Sequence, residues 1–131
     1  MLKNGMSQTI YKACTWPEIT EAYDRAVEDV SHPFAPMLAL VQKIAVSRYS
    51  TGLYANKSMW NLLVVQTPEY DPHGEILHIA YDPVLREFTF ELQETSSTKY
   101  KRWTRKSSAK GAFQTFERFL QLKKWFTAMQ R

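Results

Sequence analysis

Six cations fall within twelve residues of this chain: Lys99, Lys101, Arg102, Arg105, Lys106 and Lys110, with Tyr100 and Trp103 among them. Such a segment can meet phosphates or carboxylates, and its rings can stack on a base or cover an apolar group. Read as a strand over 99–106, it places Lys99, Lys101, Trp103 and Arg105 on one face, and Tyr100, Arg102 and Thr104 on the other. A cationic sheet face around a ring suits single-stranded nucleic acid, where each stacked base contributes about 1–3 kcal/mol. Ser107 or Ser108 can then cap a final helix. Lys106 and Lys110 would stand at its already positive N-terminus, which is unfavourable until a phosphate or carboxylate binds there. Backbone N–H groups and the hydroxyls of Ser107 and Ser108 would complete that site.

The charge is sorted along the whole chain. Residues 1–94 carry 7 Lys/Arg against 12 Asp/Glu, and residues 95–131 carry 10 Lys/Arg against the single acid Glu117. The formal net charge of +4 conceals this polarity. Two explanations need no partner. Lysines and arginines commonly protect a sheet edge from aggregation. The basic strand can also pair internally with Glu18, Glu21, Glu28 or Asp29 of an acidic first helix.

Other chemistry finds little support. Asp71, His73, Glu75 and His78 lie close in sequence, but a turn histidine and a strand histidine do not converge on a metal, and no zinc spacing with cysteines exists. The chain lacks a nucleophile elbow, a phosphate-binding glycine loop and a dinucleotide fingerprint. Cys14, the only cysteine, has no evident activating neighbour. Glu87 and Glu91 alternate outward on a strand as solvated residues do. No catalytic residue and no cofactor is expected. Trp125 beside Arg118, on the polar side of the last helix, has the composition of a protein-interface anchor, and Trp16 at a helix entrance is a second exposed-aromatic candidate.

The elements that must position these residues follow from periodicity. Thr15-Trp16-Pro17-Glu18 opens a helix with Ile19, Tyr23, Ala26, Val27 and Val30 on its apolar side, ending at Ser31-His32-Pro33. Pro36 opens a second, apolar on nearly every side. From Tyr49 the period falls to two. Strands are expected over Tyr49–Ala55, Met59–Gln66, Glu75–Tyr81 and Leu85–Gln93, with turns at Asn56-Lys57, Asp71-Pro72-His73-Gly74 and Asp82-Pro83. Lys99–Lys106 is the last strand, and a helix from about Ala109 to Met129 has Phe113, Phe116, Phe119, Leu120 and Phe126 on one face.

The fold class is therefore α+β: two N-terminal helices, an antiparallel meander of about five strands and a long C-terminal helix. This element order is similar to helix-grip folds, whose curved sheets wrap a C-terminal helix. That resemblance implies room for an apolar ligand, here between Phe88, Phe90, Phe116 and Leu120. One domain of 131 residues is expected, with residues 1–6 a flexible extension. No stretch approaches the ~20 apolar residues of a membrane span, and a lone thiol points to the cytoplasm. The sequence predicts a non-enzymatic module engaging an anionic partner, a nucleic acid or an acidic protein, through its basic strand and the start of its last helix. A hydrophobic-ligand carrier and a protein adaptor or inhibitor are the alternatives. Oligomeric state is left open.

Overall fold

A capping box starts the first helix as its sequence requires. Thr15 Oγ1 accepts from the Glu18 N–H at 3.4 Å, and Glu18 Oε1 accepts from the Thr15 N–H at 2.8 Å. The computed structural model describes residues 10–29, 34–93 and 103–125. Within them, β1 (Tyr11–Lys12) precedes α1 (Trp16–Asp29) and α2 (Ala35–Ala45). α1 buries Trp16, Ile19 and Tyr23 and leaves Glu18, Glu21, Asp24 and Glu28 in solvent. Trp16 is no surface anchor: its Nε1–H donates to the Leu53 carbonyl at 2.9 Å. α2 packs on α1 and buries Met37, Leu40, Val41 and Ile44.

The next segment corrects the expected strand over Tyr49–Ala55. Arg48–Thr51 is a 3-10 turn instead. Ser47 Oγ accepts from the Tyr49 N–H, while Ser50 and Thr51 donate back to the carbonyls of Ser47 and Arg48. Hydroxyls that satisfy local backbone groups compete with a strand ladder, and here they win. β2 (Tyr54–Ser58) and β3 (Asn61–Val65) follow. Their turn is Met59-Trp60, not Asn56-Lys57. Asn56 stays in the strand because its amide nitrogen donates to the Tyr70 hydroxyl at 3.0 Å. Trp60 stacks on Phe34, ring centroids 4.3 Å apart and planes 6° off parallel, which anchors a turn whose first residue, Met59, sits at φ 57°.

β4 (Glu69–Tyr70), β5 (Ile76–Asp82), β6 (Glu87–Gln93) and β7 (Thr104–Ser108) complete the strands. A five-stranded antiparallel sheet runs β2-β3-β5-β6-β7, and β1 pairs with β4 in a separate ribbon. The Asp71–Gly74 turn forms as its residues dictate, with the Gly74 N–H on the Asp71 carbonyl at 2.8 Å. Asp82 accepts from the N–H groups of Val84 and Leu85 at the next turn. One sheet face is apolar across the register: Leu62 opposes Ile79, which opposes Phe90, and Val64 opposes Leu77, which opposes Leu92. On that face lie α1, α2 and α3 (Ala112–Lys123), whose Phe116, Phe119 and Leu120 are buried in the same core. The opposite face is covered only in part, where Val65, Tyr70 and Ile76 form a small second core with Ala13, Tyr54 and Leu63.

Among the described residues α3 is shorter than expected. A 3-10 turn, Ala109–Gly111, precedes it, and Lys124 ends it at φ 57°, ψ 39° with the Trp125 N–H on the Leu120 carbonyl at 3.0 Å. That closure is a left-handed helix cap formed without glycine. Phe126 and Met129 lie outside the described residues, as do Lys99, Lys101 and Arg102 of the basic segment. None of the described helices is long and apolar enough to cross a membrane.

Candidate functional site

Register decides what the basic strand presents. Arg105 opposes Phe90 and Ser107 opposes Phe88, so Trp103, Arg105 and Ser107 point to the helix side of the sheet. Thr104, Lys106 and Ser108 point to the open side, beside Glu91, Thr89 and Glu87. Trp103 therefore offers no stacking platform on an open sheet. Its ring lies 4.9 Å from Phe119, and the Arg105 guanidinium covers it at 5.2 Å. The Trp103 Nε1–H is buried with no acceptor, a cost of about 1–3 kcal/mol for an unmet donor.

What the structure assembles instead is a groove. Trp103, just before β7, and Arg105 and Lys106 of β7 line one wall, and α3 supplies Thr115, Arg118 and Leu122 to the other, around a volume of about 370 Å³. Among the described residues, no acidic side chain lines it. Arg105 holds its position through Nη1, which donates to the Thr104 carbonyl at 2.8 Å. Arg118 is exposed and has no hydrogen-bond or ion-pair partner among the described residues. Leu122 is 59% exposed and adds an apolar surface beside the two guanidinium groups. The Lys106 ammonium turns away from the groove, to Thr89 Oγ1 at 3.5 Å and Glu87 Oε1 at 3.9 Å.

The start of the last helix differs from the expected serine-capped site. Gly111 is the N-cap residue, without a side-chain cap, and Ser107 Oγ donates to the Ser108 carbonyl at 2.8 Å. Lys110 shares a shallow hollow of about 510 Å³ with Ser108, Gly111, Phe113, Gln114 and Lys43 of α2. Lys43 stands 5.7 Å over the Phe113 ring. Sequence patterns gave no sign of Lys43, Thr115 or Leu122, because they reach these sites only through packing between distant segments.

Trp125 is not paired with Arg118 at an exposed interface. It is 7% exposed, with its ring edge-on to Phe119 at 4.9 Å. The helix closure at Lys124 turns the chain, so Trp125 leaves the helical wheel and folds under.

Among the described residues, no ion pair joins the acids of α1 to the basic segment. Glu21 pairs with Arg25 on α1 itself at 2.7 Å, and Glu18 serves its own cap. α1 packs beside β2, at the far edge of the sheet from β7. Four strand spacings, about 19 Å, separate those edges. The open sheet face carries Asp82, Glu87 and Glu91 with Lys106, so it is not a cationic platform.

The remaining candidates lie apart from this groove. Burial, then Glu18, pushes the Cys14 thiol up, away from the thiolate a nucleophile needs. His73 lies 3.6 Å from Asp71 at the turn, while His78 Nε2 meets Gln93 Oε1 at 3.1 Å across two strands. Phe88, Phe90, Phe116 and Leu120 expose nothing even to a water-sized sphere, so they line no apolar ligand cavity.

Comparison with protein-family models, with curated proteins and with solved structures finds no match for this chain.

Proposed function

We propose that this protein is a non-enzymatic binding module that recognises an acidic protein surface through the groove between β7 and α3. One observation carries the reading: Arg105 and Arg118 line a single groove together with exposed Leu122, and no acid among the described residues neutralises them there. Carboxylates suit two guanidinium forks, and Leu122 suits an apolar neighbour of those carboxylates. A protein partner is favoured over nucleic acid because Trp103 is packed on Phe119 and the open sheet face carries acids. A polyanion tracking that face would meet Asp82, Glu87 and Glu91. The proposal takes the protein to act in the cytoplasm, where a lone thiol such as Cys14 stays reduced.

The test compares two probes on the full chain, poly-L-glutamate and a single-stranded polyuridylate, each titrated at two salt concentrations. Poly-L-glutamate should bind and weaken with salt, and Arg105→Glu with Arg118→Glu should remove most of that affinity. Equal binding by the double variant would reject the groove. Tighter binding of polyuridylate would make nucleic acid the partner.

A further inference from the structure

We infer that the partner enters this groove as an extended acidic segment that adds to β7 as a sixth strand; the inference rests on the groove reading above. β7 is the last strand of the sheet, and no described residue pairs with its outer side. The Leu92 N–H donates to the Trp103 carbonyl at 3.0 Å, which fixes the alternation of the ladder. Arg105 and Ser107 then turn their backbone groups toward β6, while Thr104, Lys106 and Ser108 turn theirs outward.

The two edges of the sheet are treated differently. The β2 edge is bridged by Cys14, which exchanges backbone hydrogen bonds with Ala55 at 2.7 and 3.1 Å. The β7 edge is left open by its own side chains. It has no proline, Thr104 and Ser108 are small, and the Lys106 ammonium is folded back over β6 toward Thr89 and Glu87. A lysine held that way does not obstruct the edge as edge lysines commonly do. Arg105 Nη1 and Ser107 Oγ donate to the outward carbonyls of Thr104 and Ser108. The Thr104 carbonyl keeps a second lone pair for an incoming N–H, while the Ser108 carbonyl also caps the 3-10 turn after it, so the open stretch of the edge ends at Lys106.

The flank of α3 supplies the second wall, so the groove lies between an edge strand and a helix. Peptide-binding domains that work by strand addition use this arrangement: main-chain hydrogen bonds give affinity, and alternate side chains give specificity. Side chains two apart on an added strand share a face. Acids at those positions would face Arg105 and Arg118, and their methylene stems would lie against Leu122. A neutral or basic strand would bring no counter-charge to two arginines, so the groove discriminates against it.

The experiment uses the full chain and a labelled ten-residue peptide of alternating Glu and Val, with two companions: the same peptide N-methylated at alternate amides, and its Lys-Val analogue. The acidic peptide should bind, and the Lys-Val analogue should not. N-methylation should weaken binding by about tenfold or more, and amide exchange at Lys106 should slow by at least about tenfold in the complex. Thr104→Pro deletes one outward N–H and leaves every cation in place, a substitution that edge strands tolerate. It should weaken the peptide while leaving poly-L-glutamate binding and the unfolding midpoint unchanged. Peptide binding that depends on Arg118 but is indifferent to N-methylation, with unchanged exchange at Lys106, would overturn strand addition and leave the groove standing. Failure of both peptide and poly-L-glutamate to bind would overturn both.

Discussion

At the scale of single residues, type alone did not fix a role; neighbours did. Trp103 looked like a stacking ring from its place among cations, and register turned it onto Phe119. Arg118, a neighbour of Trp125 on the helical wheel, lines a wall opposite Arg105. Because Arg118 is exposed, Arg118→Glu should weaken an acidic ligand by about tenfold while changing stability by no more than about 0.5 kcal/mol, measured by anisotropy and urea unfolding. Thr15 is a different case, since its hydroxyl and Glu18 close the capping box. Thr15→Ala should cost about 1 kcal/mol in the same urea assay with no effect on binding. Two tyrosines set the alkaline behaviour. Burial holds the Tyr23 phenol well above its ordinary 10.0, and burial together with the 2.7 Å bond to Glu117 raises Tyr49. A raised phenol means that stability is intact below about pH 10 and falls as pH rises beyond it, because the unfolded chain ionises first. Tyr23→Phe loses the 3.3 Å bond to the Trp60 carbonyl, so it should cost about 1 kcal/mol at pH 7 and flatten the alkaline decline, as unfolding at pH 7 and pH 10.5 would show.

At the scale of elements, what was legible depended on whether the signal was local. The capping box at Thr15, the Asp71–Gly74 turn and the alternation of Phe88, Phe90 and Leu92 are written in neighbouring residues, and they form as read. The strand expected at Tyr49 failed because hydroxyls of Ser47, Ser50 and Thr51 satisfy the backbone locally while the buried Tyr49 ring is held by distant α3. The turn after β2 moved from Asn56 to Met59 because Asn56 is tied to Tyr70 and Trp60 to Phe34, contacts that no short window contains. The groove was half legible. Its β7 wall was visible as a charge cluster, but its α3 wall needs the packing of Phe116 and Phe119 into the core to bring Arg118 and Leu122 beside β7. The end of α3 yields a prediction at this scale. Lys124 occupies left-handed backbone that costs a residue with a Cβ about 1 kcal/mol, so Lys124→Gly should raise stability by up to about that amount, read as an increased urea midpoint at constant slope.

At the scale of the molecule, the charge sorted along the sequence becomes charge sorted across a sheet. The acids of α1 lie with β2 and the arginines with β7; Glu21 is paired by Arg25 on α1 itself and Lys106 by Glu87 on the neighbouring strand, while Arg105 and Arg118 face no acid among the described residues. Internal pairing of the basic strand with the first helix, the simplest alternative to a partner, is thereby removed for the described residues. Edge protection explains neither Lys106, whose ammonium is folded back over β6 to Thr89 and Glu87, nor a guanidinium pair set between a strand and a helix. The most direct measurement is an amide NMR titration of the full chain with the Glu-Val peptide. Shifts confined to residues 103–107, Thr115, Arg118 and Leu122 are predicted, with α1 and the Lys43–Lys110 hollow unmoved; shifts centred on that hollow, or none in β7, would contradict the groove.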